Sequence, residues 1–596
     1  MTREEKCLKE GAVAVYFGAS GRQLFGWYYA VPSASRAVVI CSPIGSESTG
    51  WHRAQRHWAQ ELAAAGMSSL RFDYEGTGDS VGDLTDPERV QTWTDSVCDA
   101  VDFLRDSSGA EHLFVAGVAL GATLALAAAE RGGVDGLILW APFANGGAYL
   151  REGRAFTHLM SPGAMADDAT MGSGIEQFGG LALTTDTVGE LARLDPLASA
   201  QRLAIPMLLL PRHGESGDAS LVARLTALGG EVESRAHAGY VDVFADAHES
   251  KVPHEVIQAT ISWIGAQFAG RRSVSAMSAS DLLLAPRSLP RNELLGSDGV
   301  RERPLQLRDT SLFGILSHST TALPRRTGII LVNSGAVHHV GPNRLYVTLA
   351  RAWSALGYSV LRVDLAGIGD SPVDPDLEEN LPYPQHAVRD VGNAIAALRA
   401  EGCERIVVGG LCSGAHTTFH AALSLTGLDG IILINPIVLY WKPSDPLEVS
   451  AWRLYVESRH YRQSARNWNS WLKLLQGRVS PTYVSRIVAK RTFEVLRAKW
   501  AAMRRRWQES EAASENPARD LRRITDRGTD VLILFSEGDP GHDLLTLNYA
   551  KELGQLQHRQ EFHLRVIDKA DHTFTSQEAR RRATAILTEH LLLHHP

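Results

Sequence analysis

One passage occurs twice in this chain, and the repeat constrains the fold more than any other feature. Residues 69–80 contain Leu70-Arg71-Phe72-Asp73 and then Gly76-Thr77-Gly78-Asp79-Ser80. Residues 360–371 contain Leu361-Arg362-Val363-Asp364 and then Gly367-Ile368-Gly369-Asp370-Ser371. The surroundings repeat too. A helical period precedes each copy (58–66 and 345–357), and another follows (90–105 and 386–399). Next comes an apolar strand, 112–116 or 405–409, which runs into Gly117-Val118-Ala119-Leu120-Gly121 or Gly410-Leu411-Cys412-Ser413-Gly414. A further apolar strand closes each unit, at 136–140 and 430–434. Continuous apolar strands alternating with helical periods specify an α/β fold, a mostly parallel sheet with helices on both faces.

Two such units imply two domains, as 596 residues also do, being too many for one core. The expected boundaries are 1–270 and 304–596. Between them, 271–303 has the serines, prolines and charges of a linker, with room for a short helix near 281–284. The second unit carries an insertion at about 439–523, rich in Trp and Arg and helical in period. It reads as a helical lid whose tryptophans pack on the sheet domain. Its arginines could also dock an acidic partner such as an acyl carrier protein, or an anionic membrane surface.

A net charge of −7 argues against a nucleic-acid binder. Five widely spread cysteines do not form a disulfide framework, and no C-x-x-C pair marks a zinc site. The first residues lack the apolar run of a signal peptide. The longest small-apolar stretch, 122–129, is far shorter than the roughly 20 residues of a membrane span. These features lead us to expect a cytoplasmic protein, in which thiols stay reduced. No cofactor is expected: there is no Walker motif, and Gly76-Thr77-Gly78 does not extend to G-x-G-x-x-G.

The chemistry centres on residues 410–414, which have G-x-S-x-G spacing with cysteine in the serine position. In that pattern a sharp strand-to-helix turn presents the central side chain, and two glycines allow close backbone approach. A thiol nucleophile needs a base, and the base needs an orienting acid. Asp539 follows the apolar strand 531–535, and His572 follows the last strand, 562–567. Loops at the C-terminal ends of parallel strands gather on one edge, so Cys412, Asp539 and His572 should converge. Glu537 and Asp543 compete with Asp539 as the acid. Asp571 reads as a turn cap, and Cys412 could instead be a small core residue. Ser413 should offer its backbone N–H to an oxyanion, together with an N–H near Gly335 or Ala336 in the loop after 328–332. His338 and His339 could line the pocket, and Arg344 is either a grip for a substrate anion or simply a solvated arginine. Paired histidines without a third ligand do not make a metal site, and His416 and His420 lack the Glu of H-E-x-x-H. Cys403 should be remote.

In the first unit the elbow centre is Ala119, which has no nucleophile. His237, His248 and Asp218 would be remnants, and the unit a non-catalytic buttress, cover or partner-binding domain.

With these motifs the second unit resembles the α/β-hydrolase proteins encoded with exosortase systems, specifically the first of two such families. The resemblance rests on Gly410-Leu411-Cys412-Ser413-Gly414-Ala415, Ile434-Asn435-Pro436, residues 471–478 and Ala570-Asp571-His572-Thr573-Phe574. The first unit is similar to the second family, through Leu137-Ile138-Leu139-Trp140-Ala141-Pro142 and an elbow without serine. These families are usually separate proteins, so their fusion suggests that the halves work as a pair. The resemblance implies an acyl-ester or thioester site, in surface-polymer or specialised-metabolite biosynthesis. The expected activity is that of a cysteine-dependent acyl hydrolase or acyltransferase. The alternative is a scaffold that does no chemistry.

Overall fold

A computed structural model describes residues 12–45, 47–160, 174–178, 181–199, 202–212, 219–237, 239–268, 293–296, 299–307, 310–373, 376–441 and 515–596. The short helix expected at 281–284 and most of the lid insertion, 442–514, lie outside them.

The first half holds strands β1 (Ala12–Phe17), β2 (Leu24–Tyr29), β3 (Arg36–Cys41), β4 (Ser68–Phe72), β5 (His112–Val118) and β6 (Gly136–Trp140). A small antiparallel hairpin follows, β7 (Ile175–Phe178) and β8 (Leu181–Thr184), and then β9 (Pro206–Leu210) and β10 (Glu231–Ser234). The sheet order is β1-β2-β4-β3-β5-β6-β9-β10, antiparallel through β4 and parallel beyond.

The second half has β11 (Leu294–Leu295), β12 (Val300–Gln306), β13 (Phe313–Ser319), β14 (Thr327–Val332), β15 (Ser359–Val363), β16 (Arg405–Leu411), β17 (Gly430–Ile434), β18 (Asp530–Ser536) and β19 (Phe562–Ile567). Their order, β11-β12-β13-β15-β14-β16-β17-β18-β19, repeats the first sheet strand for strand once β11 is set aside.

Both faces of the second sheet are buried, which is why its strands read as unbroken apolar runs. Ile330, Val332, Val408, Leu433 and Ile533 enter one core; Ile329, Leu331, Val407, Ile432 and Leu534 enter the other. Each fully buried side chain of this kind contributes about 1.5–3 kcal/mol, so neither face tolerates a polar replacement.

Two boundaries differ from the sequence expectation. The second sheet begins inside the stretch read as linker, because Leu294 and Val300 are buried and β11 pairs with β12 through Leu294 and Glu302. The lid expected to run to about 523 is shorter at its end: the helix Pro517–Thr525 belongs to the core, with Leu521 and Ile524 fully buried.

The two halves meet through the repeated segment itself. Arg71 of the first half donates to Asp370 of the second at 2.5 Å, and Arg362 of the second donates to Asp79 of the first. This is the reciprocal pattern of an isologous contact, made here within one chain. Asp370 also accepts from Trp27 Nε1 at 3.0 Å and meets His52 Nε2 at 3.2 Å. Within each copy the first Asp holds the turn, Asp73 accepting from the N–H of Asp79 and Asp364 from that of Asp370. An apolar patch of Tyr16, Phe25, Phe313 and Ile315, joined by Leu294, completes the seam. At its rim Glu379 gathers Arg53, Arg56 and His57.

Candidate active site

Cys412 stands between β16 and the helix Ser413–Ser424 at φ 58°, ψ −113°. A non-glycine residue there is strained, and such strain persists only where the surroundings over-determine it. Here Cys412 N–H donates to Ile434 O across the sheet, and its carbonyl starts the helix by accepting from Ala415 and His416. The glycines are required by contact distance. A Cβ on Gly410 would lie 2.5 Å from the Gly414 carbonyl carbon, and one on Gly414 would lie 2.6 Å from Asn333 O. Ala119 repeats the conformation, φ 50°, ψ −122°, with only a methyl group to present.

Asp539 is the N-cap of the helix Pro540–Leu556; one carboxylate oxygen accepts from Gly541 N–H. Its other oxygen meets His572 Nδ1 at 2.6 Å, with both residues well shielded from solvent. Burial opposes charge on His572. The Cys412 sulfur and the Asp539 carboxylate outweigh it and raise the pKa to about 10. The structure thus brings Cys412, His572 and Asp539 together. Of the competing acids, Glu537 accepts from Lys569 N–H and Asp543 lies a turn further along the helix. Asp571, read as a turn cap, accepts from Thr573 and Thr575. Cys403 sits two residues before β16 begins, at the far edge of the sheet.

The other expected site residues fall differently. Gly335 N–H donates to Ser413 Oγ at 2.7 Å, so that donor is engaged by the helix start rather than open to a substrate oxygen. Ala336 lies beside it, nearly buried. His338 and His339 do not line the Cys412 site. His339 is clamped between Asp364 and Asp79, 2.7 Å from each, and those carboxylates hold its pKa near 10 against burial. His338 stacks on His52 of the first half, ring centroids 4.0 Å apart. Arg344 grips no substrate anion: its guanidinium donates to the carbonyls of Gly76, Gly78, Ser80 and Gly82. These residues follow the strand β14 closely and so reach the seam, which a single-domain reading of the loop could not foresee. Beside Arg344 a cavity of about 820 Å³ opens between the halves, lined by Asp83, Thr85, Asn343, Arg580 and Leu592 among others. His416 and His420 pack on each other, and His420 meets Leu439 O. Of the first-half remnants, His237 and His248 are described and Asp218 lies outside the described residues.

Two residues of the site carried no chemical signal in the sequence. Asn435, at φ 44°, donates to His572 O at 2.7 Å and to Ser536 Oγ, fixing the loop that carries His572. Tyr383 lies near Cys412: burial first, and the Cys412 sulfur second, raise its pKa. Trp441 stacks on its ring at 5.2 Å.

Comparison with known proteins agrees with this architecture. A family described as "Alpha/beta hydrolase family" matches residues 329–585, and one described as "Serine aminopeptidase, S33" matches residues 33–166. No curated protein matches the chain. Among solved structures, DcsB in complex with its substrate analogue is 18% identical over 44% of this chain and all of its own, with a TM-score of 0.33. Est1E from Butyrivibrio proteoclasticus with bound ferulic acid is 17% identical over 43% of this chain and all of its own, with a TM-score of 0.32. A bacterial brefeldin A esterase is 18% identical over 42% of this chain and 75% of its own, with a TM-score of 0.30. The matched families, the repeated strand order and the two elbows make both halves of the chain α/β-hydrolase folds, joined in tandem.

Proposed function

We propose that the second half is a cysteine-dependent acyl hydrolase or acyltransferase acting on an ester or thioester. The supporting observation is a strained elbow cysteine whose partner histidine is held by Asp539 at 2.6 Å. His572 takes the Cys412 proton, and the sulfur attacks the acyl carbonyl. Ser413 and Ala336 N–H groups then stabilise the oxyanion. Protonated His572 returns its proton to the leaving group, leaving an acyl-Cys412 thioester. Exchange of one thioester for another is nearly isoenergetic, which favours carrier-bound acyl chains, and an amine or water completes the turnover. The first half, with Ala119 at its elbow, takes no acyl group and buttresses the second. The setting fits specialised-metabolite or surface-polymer biosynthesis in the cytoplasm.

Intact-protein mass after incubation with a panel of acyl thioesters tests this. The expected adduct appears on the wild type and is absent from Cys412→Ala. Adducts on both proteins, or none with any donor, would leave the scaffold reading standing.

A further inference from the structure

At the sheet edge opposite Cys412, four histidines converge on one carboxylate. Asp530 opens β18, His563 lies on β19, His590 and His594 share a face of the helix Gln577–His594, and His595 follows it. One oxygen of Asp530 meets His563 Nε2 at 3.1 Å and lies 3.8 Å from His594 Nδ1. The other meets His590 Nε2 at 2.7 Å and His595 Nε2 at 3.2 Å. Donor nitrogens of His563, His590 and His594 lie within 4.8 Å of one another. The packing makes room for this cluster: a Cβ on Gly430 would stand 2.5 Å from the His595 ring. His595 is buried, and its second nitrogen, Nδ1, has no hydrogen-bond partner.

A divalent cation among these rings and the carboxylate would replace the ring N–H protons that face Asp530. Three imidazoles and a carboxylate match the tetrahedral N/O set taken by zinc-class ions. His594 and His563 are the partly exposed members, and they give an ion its way in.

We propose that His563, His590, His594 and Asp530 bind a divalent ion of the zinc class, with His595 orienting the carboxylate. The site is structural. All four ligands lie at the edge away from the nucleophile, and the ion would tie the last helix to β18 and β19.

The test uses untagged, chelator-stripped full-length Cys412→Ala protein, so that neither a tag nor the elbow thiol competes. Cobalt titration should give one equivalent, with the visible bands of a tetrahedral, thiolate-free site. Zinc should displace cobalt and raise the thermal midpoint. His563→Ala and His594→Ala should each abolish the bands while keeping the far-ultraviolet circular dichroism of the parent. His595→Ala should weaken binding about 10- to 100-fold, as loss of an outer-shell partner does. Absence of a saturable band, or parental binding by the folded His563→Ala and His594→Ala proteins, overturns the proposal.

Discussion

Removing the Asp370 carboxylate should do more damage than its size suggests. Asp370 is 2% exposed at the side chain and Arg71 is 4% exposed, so water screens neither. Three groups of the first half, Arg71, His52 and Trp27, converge on this one carboxylate. Asp370→Ala therefore leaves a guanidinium buried without its counter-charge. Breaking a buried pair in this way costs about 3–5 kcal/mol, most of it the desolvation of the orphaned partner. An exposed pair of the same chain supplies the control. Arg326 and Glu404 are 76% and 61% exposed, and Arg326→Ala should cost no more than about 1 kcal/mol. Urea titration followed by tryptophan fluorescence measures both. A double-mutant cycle with Arg71→Ala should return a coupling of about 0.5–3 kcal/mol. Hydrogen exchange over 73–81 and 364–372 should accelerate together in Asp370→Ala, because each turn is held by the other half. If Asp370→Ala costs no more than Arg326→Ala, the cross-domain pair is not an anchor and the reasoning fails.

His572→Ala should slow acylation of Cys412 by about 10²- to 10⁴-fold in single-turnover mass spectrometry; an unchanged rate would remove His572 as the base. The raised pKa of His572, about 10, also makes a pH prediction with a definite sign. The folded state binds this proton more tightly than the unfolded chain, where the ring titrates near about 6.5. Its stabilising contribution is complete below that value and is lost as pH rises through about 10. Imidazole NMR should show the high titration in wild type and a lower one in Cys412→Ala, where the leading favourable partner is gone. Gly414→Ala and Gly121→Ala should each cost about 1–3 kcal/mol through overpacking. Their Cβ atoms would lie 2.6 Å from Asn333 O and 2.4 Å from Ser42 O. Only Gly414→Ala should abolish acylation, and equal loss from both would mean that the first half takes part in the chemistry.

Much of the fold was legible because it rests on short-range patterns. Apolar runs at 112–116, 136–140, 405–409 and 430–434 became β5, β6, β16 and β17. The elbow and its partners were legible for a related reason: each lies where a parallel strand ends, so their meeting follows from topology. The Asp539–His572 contact depends on few other residues. Gly335, by contrast, follows a readable strand, but whether its N–H is free depends on the Ser413 rotamer, which no periodicity encodes. Asn435 acts through its backbone conformation as much as its amide. Arg344 satisfies four carbonyls of a loop more than 260 positions earlier, so its role required the packing of one half on the other.

The same reasoning accounts for where the repeat is strongest. The best-matched segments, 69–80 and 360–371, are not the elbows but the seam. A reciprocal contact needs the same groups on both surfaces: an arginine to give and an aspartate turn to receive. Changing Arg71 strips Asp370, and changing Arg362 strips Asp79, so each copy constrains the other. An elbow carries no such reciprocity. Its glycines and strained dihedral are needed for the strand-to-helix turn, and both copies keep them; the turn does not depend on its central side chain. Ala119 and Cys412 therefore share φ and ψ while differing in the one atom that can form a bond.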